Sequence, residues 1–393
     1  MAIEGRSDAT AGRIRLGMVG GGQGAFIGAV HRLAARMDDH YRLVAGSLSA
    51  SPARGRASGE DLGLAPDRIY PDFRAMAERE SDRKDGIEAV AIVTPNHLHF
   101  PVAKVFIEAG IHVICDKPVT LDLKEALALE KLLAKRPGVI FALTHNYSGY
   151  PMVRQARAMV AAGELGEIRL VQGEYPQDWL TTAIEKTGQK QAAWRTDPAR
   201  TGAGGCVGDI GTHTYQLACF VSGLTLDELS ADLTSFVPGR RVDDNVHTML
   251  RFKGGARGMI WASQVAPGNE NGLKIRVYGT KGGLEWSQED PNYLWHTPFG
   301  EPKRLITRGG AGAGAAAGRV TRVPPGHPEG YLEGFANIYT EVARAIAAKR
   351  GGRKPDSEVM FPGIADGVAG MAFIEACVAS SRKNGRWTKV RTK

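Results

Sequence analysis

The sequence predicts an α/β protein in two parts: a doubly wound parallel sheet, then an α+β half built on a mostly antiparallel sheet. Three observations carry this. Continuous apolar runs alternate with helix-like segments from residue 14 to about 147, the pattern of parallel strands buried on both faces. A glycine-rich turn joins the first run to the first helix. From Tyr150 onward, alternating strand-like segments follow one another through short turns.

A chain of 393 residues predicts two or three domains. The expected division is a tail at 1–12, a dinucleotide-binding domain at 13–148 and a second domain at 149–393. Within the tail, Ile3-Glu4-Gly5-Arg6 resembles a protease-cleavage scar. A net charge of +8 is modest for this length, is not gathered into one block and shows no aromatic-interleaved basic patch, so nucleic acid is not an expected partner. Cys115, Cys206, Cys219 and Cys377 are too far apart for a metal or disulfide pattern, so a reducing cytoplasm is expected. No apolar run reads as long enough to span a membrane, and the N-terminus lacks the apolar core of a secretory signal.

Ile14–Val19 is the first strand, and Phe26 to Met37 the helix after it. Between them lies Gly20-Gly21-Gly22-Gln23-Gly24-Ala25, a Gly-x-Gly-x-x-Ala motif in the strand–turn–helix context of a Rossmann fold. Gly20 permits the tight turn, Gly22 lets backbone approach a pyrophosphate, Ala25 keeps helix near strand, and the helix N-terminus faces the phosphate charge. The second strand, Tyr41–Gly46, is followed by Ser47-Leu48-Ser49-Ala50-Ser51 and then Arg54, with no acid to hold the adenosine ribose. Ser49 and Arg54 suit a 2′-phosphate, so NAD and NADP both stay open. Ile87–Val93 ends in Thr94-Pro95-Asn96-His97-Leu98-His99. Pro95 and Asn96 suit the nicotinamide side, and His99 either joins them or caps the helix from Pro101 to Ala109. The run Gly110–Ile114 delivers Cys115-Asp116-Lys117-Pro118 to the carboxyl edge, where open α/β sheets bind ligands. A half-buried lysine there is suited to proton exchange near neutral pH. After the helix Leu123–Lys135, Val139–Leu143 ends in Thr144-His145-Asn146-Tyr147.

The second half opens with a helix from Met152 to Ala162 and a strand within 166–175. Further strands are expected at Leu229–Phe236, Asp244–Phe252, Arg257–Val265 and Leu273–Gly279, with another beginning at Leu284. A glycine-rich approach, 204–208, leads into a helix from about Asp209 to Gly223. Asp209 and His213, four apart, share one face of such a helix; standing alone they would read as an N-cap and a core histidine. Residues 309–318 are a Gly/Ala run expected to lack a fixed shape, just before Pro324-Pro325-Gly326-His327. This arm reads as a lid, as a reach into a neighbouring subunit, or as a plain surface loop. Helices at Glu333–Lys349 and Gly363–Ser380 are amphipathic packing elements.

Gly20-Gly21-Gly22, Thr94-Pro95-Asn96-His97-Leu98-His99, Asp116-Lys117-Pro118 and Asp209-Ile210-Gly211-Thr212-His213 occur in one order. Together they resemble the glucose-fructose oxidoreductase / inositol dehydrogenase / MocA family over nearly the whole chain. Asn146–Tyr150, Trp194–Pro198 and Gly326–Gly330 resemble, more narrowly, its scyllo-inositol dehydrogenases that also accept L-glucose. Asp116 stands where the family usually has Glu, and the acid expected after the second strand is missing.

The resemblance implies an NAD(P)-dependent oxidation of a secondary hydroxyl on a cyclic polyol or sugar. It implies a large open antiparallel sheet through which subunits pair, commonly as a tetramer, and a final helix returning to the cofactor domain. Lys117, Asp209 and His213 become the catalytic set, with His213 as general base and Lys117 stabilising charge on oxygen, or the reverse. The cofactor would contact Gly20, Gly22, Gln23, Gly24, Ala25, Phe26, Ile27, Ser49, Arg54, Thr94, Pro95, Asn96, His99, Asp116, Lys117, Asn146, Trp194 and Arg195. Substrate-side candidates are Arg195, Asn146, Tyr147, Asp178 and His327 beside the catalytic three. Two other functions use the same fold: glycoside cleavage through transient C3 oxidation, and a non-catalytic dinucleotide sensor that would need no proton carrier.

Overall fold

The computed structural model describes residues 12–392, so the expected tail, Gly12 apart, and the scar-like Ile3–Arg6 lie outside the described residues. The chain forms two compact units. The first holds the described residues through Thr120 together with Lys124–Asn146 and Tyr331–Val368; the second holds Leu121–Leu123, Tyr147–Gly330 and the residues from Ala369 on.

In the first unit, β1 (Ile14–Gly20), α1 (Phe26–Met37), β2 (Tyr41–Ser47), α2 (Pro52–Asp61), α3 (Phe73–Asp82), β3 (Ala89–Val93), α4 (His99–Glu108), β4 (His112–Cys115), α5 (Leu123–Ala134) and β5 (Phe141–Leu143) follow in order. The five strands are parallel in the order β2-β1-β3-β4-β5. All five residues of β3 are buried, which is why that strand is a continuous apolar run and not an alternating one. The core joins Leu16, Met18, Val30, Ala91 and Ile114 to Phe335, Ile338, Tyr339 and Val342, which arrive on a helix from far along the chain, Tyr331–Arg350. Full burial of one such side chain, Ile338, contributes about 2–3 kcal/mol. The Tyr41 hydroxyl donates to the Tyr339 carbonyl at 2.8 Å, and His31 Nδ1 lies 2.8 Å from the Tyr339 hydroxyl.

The turn after β1 is left-handed at Gly20, with φ +80°. The close approach between α1 and this turn comes at Gly28, not at Ala25: a Cβ on Gly28 would sit 2.4 Å from the Gly21 Cα, while Ala25 is only half-buried.

The second unit contains α6 (Pro151–Ala161), β6 (Ile168–Pro176), α7 (Lys190–Arg195), α8 (Pro198–Thr201), a π-helical turn (Val207–Gly211) continuing into α9 (Thr212–Ser222), and then β7 (Leu226–Thr234), β8 (Asn245–Phe252), β9 (Arg257–Ser263), β10 (Lys274–Gly279), β11 (Gly282–Ser287), β12 (Tyr293–Pro298), β13 (Arg304–Thr307) and α10 (Ala315–Gly318). The chain then passes through α11 (Tyr331–Arg350), which lies in the first unit, to α12 (Ile364–Ser381) and β14 (Thr388–Lys389). From Ala369 onward α12 belongs to the second unit.

The nine strands are ordered β13-β12-β11-β10-β6-β9-β8-β7-β14. Every pairing is antiparallel except β6 with β9. One face buries Val171, Ile260, Val277 and Leu284, while the other exposes Leu170, Met249, Met259 and Trp295. By length and composition α12 is long and apolar enough to cross a membrane, where no such segment was expected. Most of it is buried inside the protein, as in a core helix: Phe373 stacks on Tyr215 with ring centroids 4.4 Å apart.

The contact at Gly28 gives a prediction. Gly28→Ala forces the start of α1 away from the glycine turn and destabilises the protein by about 1–3 kcal/mol, the usual scale of overpacking. Thermal or urea unfolding of the variant checks this, and an unchanged midpoint contradicts the packing argument.

Candidate active site

In the first unit the carboxyl ends of the parallel strands deliver polar residues to one edge. Gly20, the last residue of β1, pairs in register with Val93 of β3, so the glycine turn and Thr94-Pro95-Asn96 emerge beside each other where the strand order reverses. The Gly22 N–H donates to the Leu48 carbonyl at 3.2 Å and the Gln23 N–H to Ser58 Oγ at 3.1 Å, which fixes the turn against the segment after β2. Gln23 turns its side-chain amide toward Asp61 at 2.6 Å. Gly24 and Phe26 are exposed, and Ile27 is half-buried. Ser49 Oγ accepts the Ser51 N–H at 3.2 Å, and Arg54 is exposed near the start of α2.

The ladder continues past the ends of β4 and β5. The Asp116 N–H donates to Ile92 O and the Thr144 N–H to Cys115 O, both at 2.9 Å. The Asp116 carboxylate then accepts the Lys117 N–H at 2.9 Å and the Thr144 hydroxyl at 3.0 Å on one oxygen. Lys117 is half-buried, as its place predicts. His99 opens α4 and is buried; its Nδ1 lies 2.7 Å from Pro118 O and its Nε2 2.8 Å from Thr94 O. Its ring therefore ties together the segments after β3 and β4, with both nitrogens at backbone carbonyls. Asn146 Nδ2 and Thr94 Oγ1 are buried with no hydrogen-bond partner. Orphaned polar atoms at this edge fit a bound polar group that would complete them. With the glycine turn, they match what a dinucleotide needs.

The second unit assembles its own cluster. Asp209 lies in the π-helical turn and His213 in the first turn of α9, so the regular helix expected over both is widened at Asp209. A π turn changes the angular offset of residues four apart and is often found at functional sites. Asp209 Oδ2 accepts Gln264 Nε2 at 2.9 Å and pairs with Arg195 Nε at 3.2 Å. The Arg195 guanidinium also stacks over the Trp194 ring at 4.3 Å. The buried His213 ring meets Tyr147 edge-on, with centroids 4.9 Å apart. The Tyr147 hydroxyl lies 2.5 Å from the Tyr175 hydroxyl, which donates to Asn271 Oδ1 at 2.7 Å. Burial pushes the Tyr147 phenol above its ordinary range.

Asp178 is half-buried and accepts the Gly268 N–H at 3.3 Å. His327 exposes its side chain, while its carbonyl accepts a hydrogen bond from Arg308. The structure thus brings Asp209, Arg195 and Trp194 together, and His213 with Tyr147. Sequence reasoning missed Thr144, Tyr175, Gln264 and Asn271. A signal existed for Thr144, which stands directly after the predicted strand Val139–Leu143; Tyr175, Gln264 and Asn271 are marked only by their contacts.

Residues 14–156 match the model of the oxidoreductase family with an NAD-binding Rossmann fold, and residues 153–285 match the GFO/IDH/MocA C-terminal domain. An uncharacterized oxidoreductase of Bacillus subtilis, YfiI, is 36% identical over 96% of both chains. The chain belongs to the GFO/IDH/MocA family. Among solved structures, an oxidoreductase from Sinorhizobium meliloti is 60% identical with a TM-score of 0.87, over 96% of this chain and 99% of that one. An inositol dehydrogenase homolog from Azotobacter vinelandii, complexed with NADH and myo-inositol, is 37% identical with a TM-score of 0.89, over 96% and 98%. This GFO/IDH/MocA member therefore carries an NAD-binding Rossmann domain, which spans the glycine turn and the strand ends described above.

Three histidines of the first unit give a pH prediction. Burial pushes His31 and His112 down to about 4 and His145 down to about 3, with Lys349 adding to the effect at His112 and Lys117 at His145. Their folded pKa values lie below the unfolded value of 6.5, so the unfolded chain binds more protons between those limits. Stability is full above pH 6.5 and falls on acidification through the window down to about 4 or 3, by up to roughly 1.4 kcal/mol per pH unit for each histidine. Urea midpoints at neutral and mildly acidic pH should show this loss; equal midpoints would contradict neutral burial.

Proposed function

We propose that this protein is an NAD(P)-dependent dehydrogenase that oxidises a secondary hydroxyl of a cyclic polyol or sugar to a ketone. The carrying observation is the lysine edge: Lys117 follows β4 directly, beside a carboxylate held by Thr144, at the rim of an NAD-binding sheet. The myo-inositol bound to the A. vinelandii structure supports a polyhydroxylated ring as substrate class. A pyranose presents a similar ring of equatorial and axial hydroxyls, which keeps hexoses such as L-glucose and their glycosides within the class, alongside scyllo-inositol.

When bound, the nicotinamide supplies the hydride acceptor. The chain does the rest. His213 is the general base for the hydroxyl proton, and Lys117 stabilises charge developing on oxygen, or the two exchange these roles. Asp209, oriented by Gln264 and Arg195, binds a neighbouring hydroxyl or steadies His213. Tyr147 holds the His213 ring in place through its edge contact. Carbon loses a hydride, oxygen loses a proton, and the balance closes with reduced cofactor and one proton. Asn146 completes its orphaned amide on cofactor or substrate, and His99 acts by holding the Thr94 and Pro118 segments. The four free cysteines accord with a reducing cytoplasm. The exposed row Leu170, Met249, Met259 and Trp295 on the large sheet supports pairing of like subunits through that face, as a tetramer; sedimentation of the purified protein tests this.

A panel of inositols, hexoses and glucosides with each cofactor, followed at the reduced-nicotinamide absorbance, tests the function. Aglycone release without net reduced cofactor would replace it with glycoside processing, and no turnover on any polyol would sink it. Lys117→Ala should leave cofactor affinity within a few-fold and lower turnover by at least ~100-fold, the scale of a positioned proton-transfer or oxyanion group. Near-parental turnover would remove Lys117 from the chemistry. Ser49→Asp should shift preference from NADP toward NAD by setting a carboxylate against the 2′-phosphate; an unchanged ratio would show that Ser49 does not face the ribose.

A further inference from the structure

Between β7 and β8, outside every motif used so far, lies the dipeptide Asp243-Asp244. Asp243 grips three successive backbone N–H groups. The Gly205 N–H donates to its Oδ1 at 2.6 Å, the Cys206 N–H to its carbonyl at 2.8 Å and the Val207 N–H to its Oδ2 at 2.8 Å. Those residues lead into the π-helical turn, whose Asp209 N–H donates back to Gly205 O at 2.9 Å. Asp244 completes the grip from the other side. Its carbonyl accepts the Gln264 N–H at 2.8 Å, and the Gln264 amide donates to Asp209 Oδ2 at 2.9 Å. The Asp244 carboxylate is already engaged, by the Phe236 and Val237 N–H groups and by Arg240.

We propose that Asp243 is a positioning residue for the reaction: its ionised carboxylate sets the turn from which Asp209 and His213 are presented, and so makes turnover depend on its own protonation. The proposal rests on the dehydrogenase reading above for the roles of Asp209 and His213. A carboxylate accepts both N–H groups. A protonated carboxyl carries a hydrogen on one oxygen, so one of the two N–H groups loses its acceptor. The groups around Asp243 are Asp244 from its own loop, Cys206 from the turn and Cys377 from α12, all acidic or neutral. Arg240, the nearby cation, is committed to Asp244 and Glu185. Burial pushes the Asp243 carboxyl up to about 6, against backbone N–H bonds from Val207, Gly205 and its own residue and with help from Asp244.

The sign separates site from fold. A carboxyl raised in the folded state contributes most stability below its unfolded pKa and loses that contribution as pH rises through about 6. Protonating Asp243 therefore does not unfold the protein; it releases the turn alone.

The first test needs no variant. Hydrogen exchange of the full-length protein with NAD bound, corrected for intrinsic rates, should show protection at Gly205 and Val207 falling by about 10-fold from pH 8 to pH 5.5, the scale of one net hydrogen bond. Protection independent of pH in that segment would overturn the proposal. The second test is Asp243→Asn at pH 8. Its amide must turn an N–H2 toward one of the backbone donors, so kcat should fall ~10- to ~100-fold, as for a small misplacement of a reacting group. NAD affinity should hold, and exchange at Gly205 and Val207 should no longer respond to pH. Parental kcat and an unchanged pH profile would overturn the positioning role. Asp209→Ala and His213→Ala serve as the control on the reading itself: near-parental turnover there would overturn it and reduce Asp243 to a structural clamp, whatever the exchange shows.

Discussion

Parallel strands cannot be joined by tight turns, and this constraint determines where chemistry can occur in the first unit. Each connection between β1, β3, β4 and β5 must cross back along a face, so every strand's carboxyl end emerges on the same edge. Gly20, Thr94, Asp116 and Thr144 arrive there because the strands that carry them are in register, not because they are near in sequence. The edge is then stiffened one residue beyond the strands. Asp116 and Thr144 still donate to Ile92 and Cys115, so Lys117 begins only one residue past a hydrogen-bonded ladder. A flexible, entropically costly side chain is thereby mounted on backbone that is already ordered. The departure from glutamate at Asp116 fits the same picture: the shorter carboxylate reaches the Thr144 hydroxyl and the Lys117 N–H together.

Burial decides which groups can carry charge. His31, His112 and His145 are held neutral by desolvation, and the Cys115 thiol is pushed well above its ordinary range by burial and then by Asp116. In the second unit the buried Arg240 is fully paired. Arg240 joins Asp244 at 3.0 Å and Glu185 at 2.9 Å and also donates to the Leu180 and Thr182 carbonyls. Such pairs contribute little net stability, because desolvation offsets the attraction, but breaking one would cost about 3–5 kcal/mol. Their value lies in fixing geometry around the π-helical turn.

The first unit was legible because doubly buried parallel strands leave continuous apolar runs: α1 was expected at its observed bounds, and β4 within two residues at each end. The strands β12 and β13 were not legible. They lie at one end of the large sheet, where Tyr293, Trp295, Arg304 and Leu305 are exposed and only Leu294 and Ile306 are buried, too few apolar positions to mark a strand by pattern. The site divides in the same way. Lys117 and the glycine turn stand directly after strands, where position implies role. Tyr175, Gln264 and Asn271 come from three separate stretches and acquire meaning only through contacts with Tyr147 and Asp209, which pattern alone does not encode. The close approach assigned to Ala25 belongs to Gly28, because the helix meets the turn one helical turn later than the motif suggests.

The Gly/Ala run at 309–318 shows how far composition can mislead. Nothing in those side chains specifies a shape, yet the segment forms α10, with Ala317 fully buried. Its order is imposed from both ends. Arg308 pairs with Glu329 at 3.0 Å and donates to the carbonyls of Val323, Pro324 and His327, while Glu329 Oε1 accepts the Arg322 and Val323 N–H groups at 2.7 and 2.9 Å. Between those anchors, Gln155 on α6 accepts the Gly314 N–H at 2.7 Å. Closing a loop of this length costs only a few kcal/mol of chain entropy, growing slowly with length, so a buried ion pair and one docking contact suffice. The same anchoring fixes the His327 backbone while leaving its ring exposed. Any role of that histidine must therefore be played from an ordered surface rather than by a free-swinging arm.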